Sequence, residues 1–275
     1  MRDCEFLTFS KDRGSQLYSF LCSVDDMVTS DNEFHMYVLY HYTSKEHYDA
    51  YAYIIDKWSS NPWITFIKQK VFYDDVIDIV QNKMTCDKVF FTPDDSLFIR
   101  PVNLSDAVRI EDNEIMSLRL GTHLEVCHPL GNKPQELPKF TRETDDKVYW
   151  NWSDGDCDWG YPLALDTSVF NRSEILSCIH QIRFNTPTSF ESMLQPFDYY
   201  FERKIGVCYK DSKFLSLPWN VVTTEVYNKN GGISTDLFLD QWKDGNRIDH
   251  ESIYHMFPVS CHQEVDLKFV KRNDQ

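Results

Sequence analysis

Short apolar runs alternate three times with stretches of helical periodicity in the first ninety residues, and a fourth apolar run follows. CEFLTFS is strand-like and ends in the polar turn SKDRGS; SQLYSFLCSV then sets Leu17, Phe20, Leu21 and Val24 at the i, i+3, i+4, i+7 spacing of an amphipathic helix. FHMYVLYHY precedes SKEHYDAYAYIIDKW, where Tyr48, Tyr51, Ile55 and Trp58 recur at helical spacing. WITFIKQ reads as a third strand and DDVIDIVQNK as a third helix, with Asp74 and Asp75 in the first turn, where the helix dipole favours them. Three strand–helix units that deliver a fourth strand, KVFFTPDDSLFIRPV, predict an α/β/α sandwich around a mostly parallel, doubly wound, Rossmann-like sheet. Ligands of such sheets lie outside the carboxyl ends of the strands, which is where the loops SKDRGS and TPDDS fall.

The remainder is less regular. IMSLRLGTHLEVCH reads as a helix turning into a strand, and GNKPQELPKFTRETDD as a polar connection. A segment dense in aromatics and carboxylates, KVYWNWSDGDCDWGYPLALDTSVF, leads to a helix (SEILSCIHQIRF), a turn (NTPTS), a second helix (FESMLQPFDYYFERK) and a tail of short strands around STDLFLDQWKDG. One domain over residues 1–275 is expected, in two parts, 1–105 and 106–275.

Charge narrows the partners. Acidic residues outnumber basic ones, 43 to 28, and the net charge of −15 argues against nucleic acid or an anionic membrane as the main partner. The N-terminus has no apolar stretch of the kind that directs secretion, and no run is long enough to span a bilayer, so the chain reads as cytoplasmic. The eight cysteines are scattered without C-x-x-C pairs, as expected of reduced thiols and not of a zinc site.

Two groups of residues carry candidate chemistry on their own types and spacing. Asp94 and Asp95 place two hard oxygen ligands on a turn at the sheet's ligand edge, which suits Mn²⁺ or Mg²⁺ bridging a diphosphate; P-D-D-S is equally a favoured β-turn. In the aromatic segment Trp150, Trp152 and Trp159 offer faces on which a pyranose of an acceptor could stack, and Asp166 offers a carboxylate for hydroxyls; core packing is the commoner fate of such rings.

Several blocks resemble one family in the same order. FLTFSKDRGSQLYSFLCSV is similar to the opening of bacterial and viral GT-A glycosyltransferases, where a strand ends in Thr or Ser and a D-R-x-x-Q-L stretch starts the first helix. MYVLYHYTSKEHYDAY, SLRLGTH, DWGYPLALDTSVFNRSEIL and FNTPTSFES resemble its later blocks, and TPDDS stands in the place of its DxD-type metal motif, so that the likeness covers most of the chain from Cys4 to about Asp249. The style of the sequence also resembles enzymes of large algal viruses that glycosylate their own capsid protein, which would place it in the host cytoplasm. Two departures stand out: Ser96 occupies the last position of a strict D-x-D, and Gly14 stands where relatives often have proline.

The resemblance implies a metal-dependent enzyme that moves a sugar from a nucleoside-diphosphate sugar, UDP being the commonest carrier, to a hydroxyl of a glycan or glycoprotein, with inversion. It implies that 1–105 is a nucleotide-sugar-binding half and 106–275 an acceptor-binding half. It implies that Thr8, Ser10 and Arg13 meet the nucleotide, Arg119 a phosphate, and His262 the metal beside Asp94 and Asp95. Glu191 would be the base that an inverting transfer needs, with Asp166 next in line. Each has a plainer reading: Ser15 as an N-cap beside a solvated Arg13, Arg119 in a surface ion pair, His262 as a lone histidine, and Thr188 to Glu191 as a capping box. A sugar-phosphate nucleotidyltransferase is disfavoured because SKDRGSQ is poor in glycine, whereas Ser96 keeps open a binding protein on the same fold.

Overall fold

The computed structural model describes residues 2–220 and 231–272, so the part of the expected strand tail at 221–230 lies outside them. The expected alternation is present: β1 (Arg2–Lys11), α1 (Gly14–Met27), β2 (Glu33–His41), α2 (Lys45–Trp58), β3 (Ile64–Lys68), α3 (Phe72–Asp78) and β4 (Lys88–Pro93). They are followed by β5 (Glu114–Ser117), β6 (Arg142–Glu143), β7 (Lys147–Asn151), β8 (Ser168–Asn171), α4 (Arg172–Ile179), α5 (Pro187–Leu194), β9 (Ile205–Tyr209) and α6 (Thr235–Lys243). Among the described residues nine of these strands form one sheet in the order β6-β7-β9-β5-β8-β4-β1-β2-β3. β1 pairs in parallel with β2 and β4, β2 with β3, and β9 with β5, while β8 runs against β4 and β5, and β7 against β9.

Helices cover both faces, which is why the central strands read as continuous apolar runs. Successive residues of β1 divide between two cores: Cys4 and Phe6 pack with Leu17, Phe20 and Leu21 of α1 and Tyr51 and Ile54 of α2, whereas Leu7 and Phe9 pack with Val76 of α3, Ile175 of α4 and Phe190 of α5. α1 and α2 lie on one face as the chain steps from β1 to β3. α3 then crosses on the other face to deliver β4 on the far side of β1, and right-handed crossovers require that switch. The chain leaves β1 and β4 in opposite directions, which makes their carboxyl ends the switch point at which sheets of this kind bind ligands.

Four local expectations are corrected. Residues 114–117 form a strand and not a helix, because Ile115 is buried in one core and Met116 in the other, and a run buried on both faces mimics a helical stripe. α1 starts after Arg13, and Ser15 caps nothing. The NTPTS segment is already the start of α5: Thr186 is the N-cap, Pro187 the first helical residue, and Ser189 completes the capping box, so the cap does not involve Thr188 and Glu191. The second helix of that region ends at Leu194, and Pro196 sits in the 3₁₀ turn that follows it.

Trp150, Trp152 and Trp159 are fully buried in the core under α4 and α5, with ring centroids 4.8 and 4.9 Å from Trp150 to its two partners. The Trp150 indole N–H donates to the Trp159 carbonyl at 3.0 Å. The ring lies over Gly206, its ladder partner on β9, where an added Cβ would sit 2.3 Å from an indole carbon. Gly206→Ala should therefore destabilise the protein by about 1–3 kcal/mol through overpacking. A urea midpoint equal to that of the unmutated chain would show that the indole has room to retreat.

Candidate functional site

β1 ends at Lys11, and the turn into α1 passes through Asp12 in the left-handed region (φ 54°), which aspartate tolerates better than most residues. The Asp12 carboxylate pins this turn to the start of α2 by accepting from the Thr43 amide at 2.8 Å and its hydroxyl at 2.9 Å. Gly14 follows because α1 packs closely on α2: a Cβ there would lie 2.8 Å from Ala50 Cβ. The departure from proline thus serves helix packing.

Arg13, thrown inward by that turn, reaches across to the end of β4. Its Nη1 donates to Asp94 Oδ1 at 3.1 Å and to Asp95 Oδ2 at 2.8 Å, and its Nη2 to the Asn220 carbonyl at 2.7 Å. Asp94 is buried and Asp95 sits at the rim. Burial, opposed by Arg13 and reinforced by Asp95, pushes the Asp94 carboxyl up to about 6. The solvated reading of Arg13 is therefore overturned: the guanidinium is buried and paired.

Thr8 and Ser10 are placed differently from expectation. Thr8 is wholly buried within the sheet, and its hydroxyl meets that of its ladder partner Thr92 at 2.6 Å. The Ser10 hydroxyl is 2.7 Å from the Tyr51 hydroxyl. Both brace the site from below and neither presents a free face.

A second cluster lies beyond the aspartate turn. Arg119 is among the most buried side chains: Nη1 donates to Asp158 Oδ1 at 2.7 Å, and Nε forms an ion pair with Asp166 Oδ1 at 3.0 Å without hydrogen-bond alignment. Burial disfavours the guanidinium charge, but Asp166 and Asp158 outweigh it and hold it protonated. This excludes the reading of Arg119 as a surface ion pair. Asp166 Oδ2 faces His262 Nε2 at 3.3 Å and accepts from the Ser216 hydroxyl at 3.5 Å. Ser216 in turn accepts from Ser96 at 3.2 Å, so the serine in the aspartate motif links that turn to Asp166. The residue after Asp166, Thr167, is held at φ 75°, an outlier for a β-branched side chain that costs on the order of 1–3 kcal/mol.

Glu191 faces the same cluster from α5. Oε1 accepts from the Tyr161 hydroxyl at 3.0 Å and Oε2 from the Leu165 amide at 2.8 Å. Burial, and then the Asp166 charge, raise its carboxyl above the usual range against the pull of those two donors. With the cap supplied by Thr186, Glu191 has no part in starting the helix.

The structure thus brings Arg13, Asp94 and Asp95 together, and separately Arg119, Asp166, His262 and Glu191. It withdraws Trp152 and Trp159 from the acceptor role, because core rings offer no sugar a face. Among the described residues no three of His, Cys, Asp and Glu converge on a common metal position, and His262 Nε2 faces Asp166 Oδ2 at 3.3 Å, with Ser216 between its strand segment and the aspartate turn. A divalent cation still fits Asp94 and Asp95. Both offer hard oxygens on one turn, and Asp94 Oδ2 is buried with no hydrogen-bond partner among the described residues. Asp158, Tyr161 and Asn220 were not anticipated; the carboxylate density of residues 149–166 flagged Asp158's neighbourhood, but nothing flagged Asn220.

No family model matches the sequence. In an alignment of 193 positions that covers 64% of this chain, it is 28% identical to the bifunctional glycosyltransferase pgtA of Dictyostelium discoideum, and the match spans only 25% of that protein. Among solved structures it is similar to TarS of S. aureus, with a TM-score of 0.51 at 12% identity over 78% of this chain and 36% of TarS. A shorter form of TarS in complex with UDP gives a TM-score of 0.51 at 11% identity over 78% of this chain and 59% of that one. At such identities the likeness speaks for architecture, and with its sheet order and crossovers the chain has the GT-A fold, the α/β sandwich of the nucleotide-sugar transferases.

Proposed function

We propose that the chain is a glycosyltransferase that moves a sugar from a nucleoside-diphosphate donor, a UDP-sugar, to a hydroxyl of a glycan or glycoprotein, with inversion and with Mn²⁺ or Mg²⁺. The observation that carries this reading is the meeting of Arg13, Asp94 and Asp95 at the carboxyl ends of β1 and β4, where the chain departs to opposite sides. Complex formation with UDP by a TarS of the same fold, and the glycosyltransferase name of the Dictyostelium relative, support the choice of donor.

Asp94 and Asp95 would hold the cation, which supplies positive charge to the departing diphosphate. The chain's own groups do the rest. Arg13 can offer its fork to phosphate oxygens. The acceptor O–H gives its proton to Glu191 as its oxygen attacks the anomeric carbon, and the bond from that carbon to the diphosphate breaks with the electron pair leaving on the diphosphate. A carboxyl raised by burial takes that proton more readily than an ordinary one. Tyr161 and the Leu165 amide fix its orientation. Asp166 is less suited, because its carboxylate is the counter-charge of the buried Arg119, which has to stay matched.

The chemistry is tested by release of nucleoside diphosphate from a panel of sugar nucleotides with Mn²⁺. Asp95→Asn should weaken Mn²⁺-dependent donor binding at least tenfold and leave the fold intact; unchanged calorimetric affinity would remove the cation from Asp95. Glu191→Gln should bind donor nearly as the unmutated chain does and lose about 10² to 10⁴ in turnover. Transfer at the original rate, or a product of retained configuration by NMR, would end the base assignment. Thr186→Ala, which removes the true cap, should cost about 1 kcal/mol of stability with turnover unchanged, which separates helix start from chemistry.

A further inference from the structure

Two neighbouring carboxylates, one of them buried, need a positive charge between them. Here the chain supplies it. Arg13 Nη1 stands within 3.1 Å of Asp94 Oδ1 and 2.8 Å of Asp95 Oδ2, and the Asn220 carbonyl holds Nη2 at 2.7 Å. A divalent cation held by the same two carboxylates would compete with the guanidinium for them. Arginine cannot yield the place by losing its proton, so the guanidinium has to move if the carboxylates are to be released. Two buried polar atoms show that the arrangement is not saturated: among the described residues, Arg13 Nε and Asp94 Oδ2 have no hydrogen-bond partner although each side chain is over nine-tenths buried. An anion could use the first and a cation the second. A nucleoside diphosphate is an acceptor that a guanidinium binds in bidentate fashion, and it carries charge enough to draw Arg13 off the aspartates.

We propose that Arg13 is the resident counter-ion of the aspartate turn, that it keeps a divalent cation weakly bound until a diphosphate takes the guanidinium, and that donor and cation consequently bind as one unit. The proposal rests on the donor reading above. By reciprocity, whatever factor the diphosphate adds to cation affinity, the cation adds to diphosphate affinity. A residue that merely touched the nucleotide would not restrain the cation in its absence, so this role has its own signature.

The test is titration of the chain with Mn²⁺, with free Mn²⁺ followed by electron paramagnetic resonance, in the absence and presence of UDP. The unmutated chain should bind Mn²⁺ at least tenfold more tightly with UDP than without. Arg13→Gln should bind Mn²⁺ alone at least tenfold more tightly than the unmutated chain and gain little from UDP, while Arg13→Lys, which keeps the charge, should stay close to the original. Equal Mn²⁺ affinity in Arg13→Gln and the unmutated chain, with UDP binding intact in the latter, overturns the counter-ion role and leaves the donor reading standing. No UDP binding to the unmutated chain, beside a tightened Mn²⁺ affinity in Arg13→Gln, overturns the donor reading and leaves the counter-ion. Should Arg13→Gln fail to fold by circular dichroism, the unmutated chain alone decides: equal Mn²⁺ affinity with and without UDP refutes the coupling.

Discussion

A guanidinium buried as deeply as that of Arg119 is tolerable only when its charge is matched, because removing one partner of such a pair leaves the other uncompensated in a poorly solvating interior. Asp158 and Asp166 provide the match, and they arrive from different stretches of an irregular segment that has little secondary structure to hold it. The pairing therefore does more than balance charge. It fixes where residues 156–166 lie, and with them the Leu165 amide on which Glu191 rests and the Asp166 oxygens that His262 and Ser216 reach. The left-handed Thr167 is a by-product of that demand, since the chain must turn sharply to put Asp166 beside Arg119 and enter β8 in register two residues later.

The other wall of the site is built on different physics. β1 and β4 are fixed by apolar burial on both faces, so their ends are stiff and the short loops that leave them inherit that stiffness. Asp94 and Arg13 face each other because strand pairing brings the two loops side by side, as the Phe9 and Pro93 register shows. One wall is thus rigid by packing and the other by ion pairing, with Ser96 and Ser216 as the hydrogen-bonded join.

The rigid wall was legible in the sequence from its periodicity, whereas the ion-paired one was legible as candidate residues but not as pairs. Leu17 to Val24 and Tyr48 to Trp58 announce their helices by period, and the apolar runs between them announce buried parallel strands. The same property misleads at Ile115 and Met116, where burial on two faces erases the alternation that would mark a strand. Capping residues are legible as a class but not in register: Thr186 and Thr188 are equally good N-caps in N-T-P-T-S, and the decision falls to Pro187, which suits the first helical position. The tryptophans show the limit for large rings, since stacking on a sugar and packing in a core ask for the same residue. Asp158 could not be told from Asp154 or Asp156, because what distinguishes it is Arg119, distant in sequence. Asp94, Asp95 and Arg13 were each visible as site residues, but the pairing between them was not.

The distances along the chain between partners of the site carry one more consequence. Arg13 is held by a carbonyl 207 positions later, and Ser96 by a hydroxyl 120 positions later. Local helices and the β1 to β4 ladder can form as the chain emerges from the ribosome, but the site is incomplete until residues beyond 216 have followed. Until residues 216–220 are made, Arg13 lacks the Asn220 carbonyl, and Ser96 lacks the Ser216 hydroxyl. Closure of the site therefore depends on contacts far apart in sequence, the kind that form slowly because the intervening chain has to be ordered first.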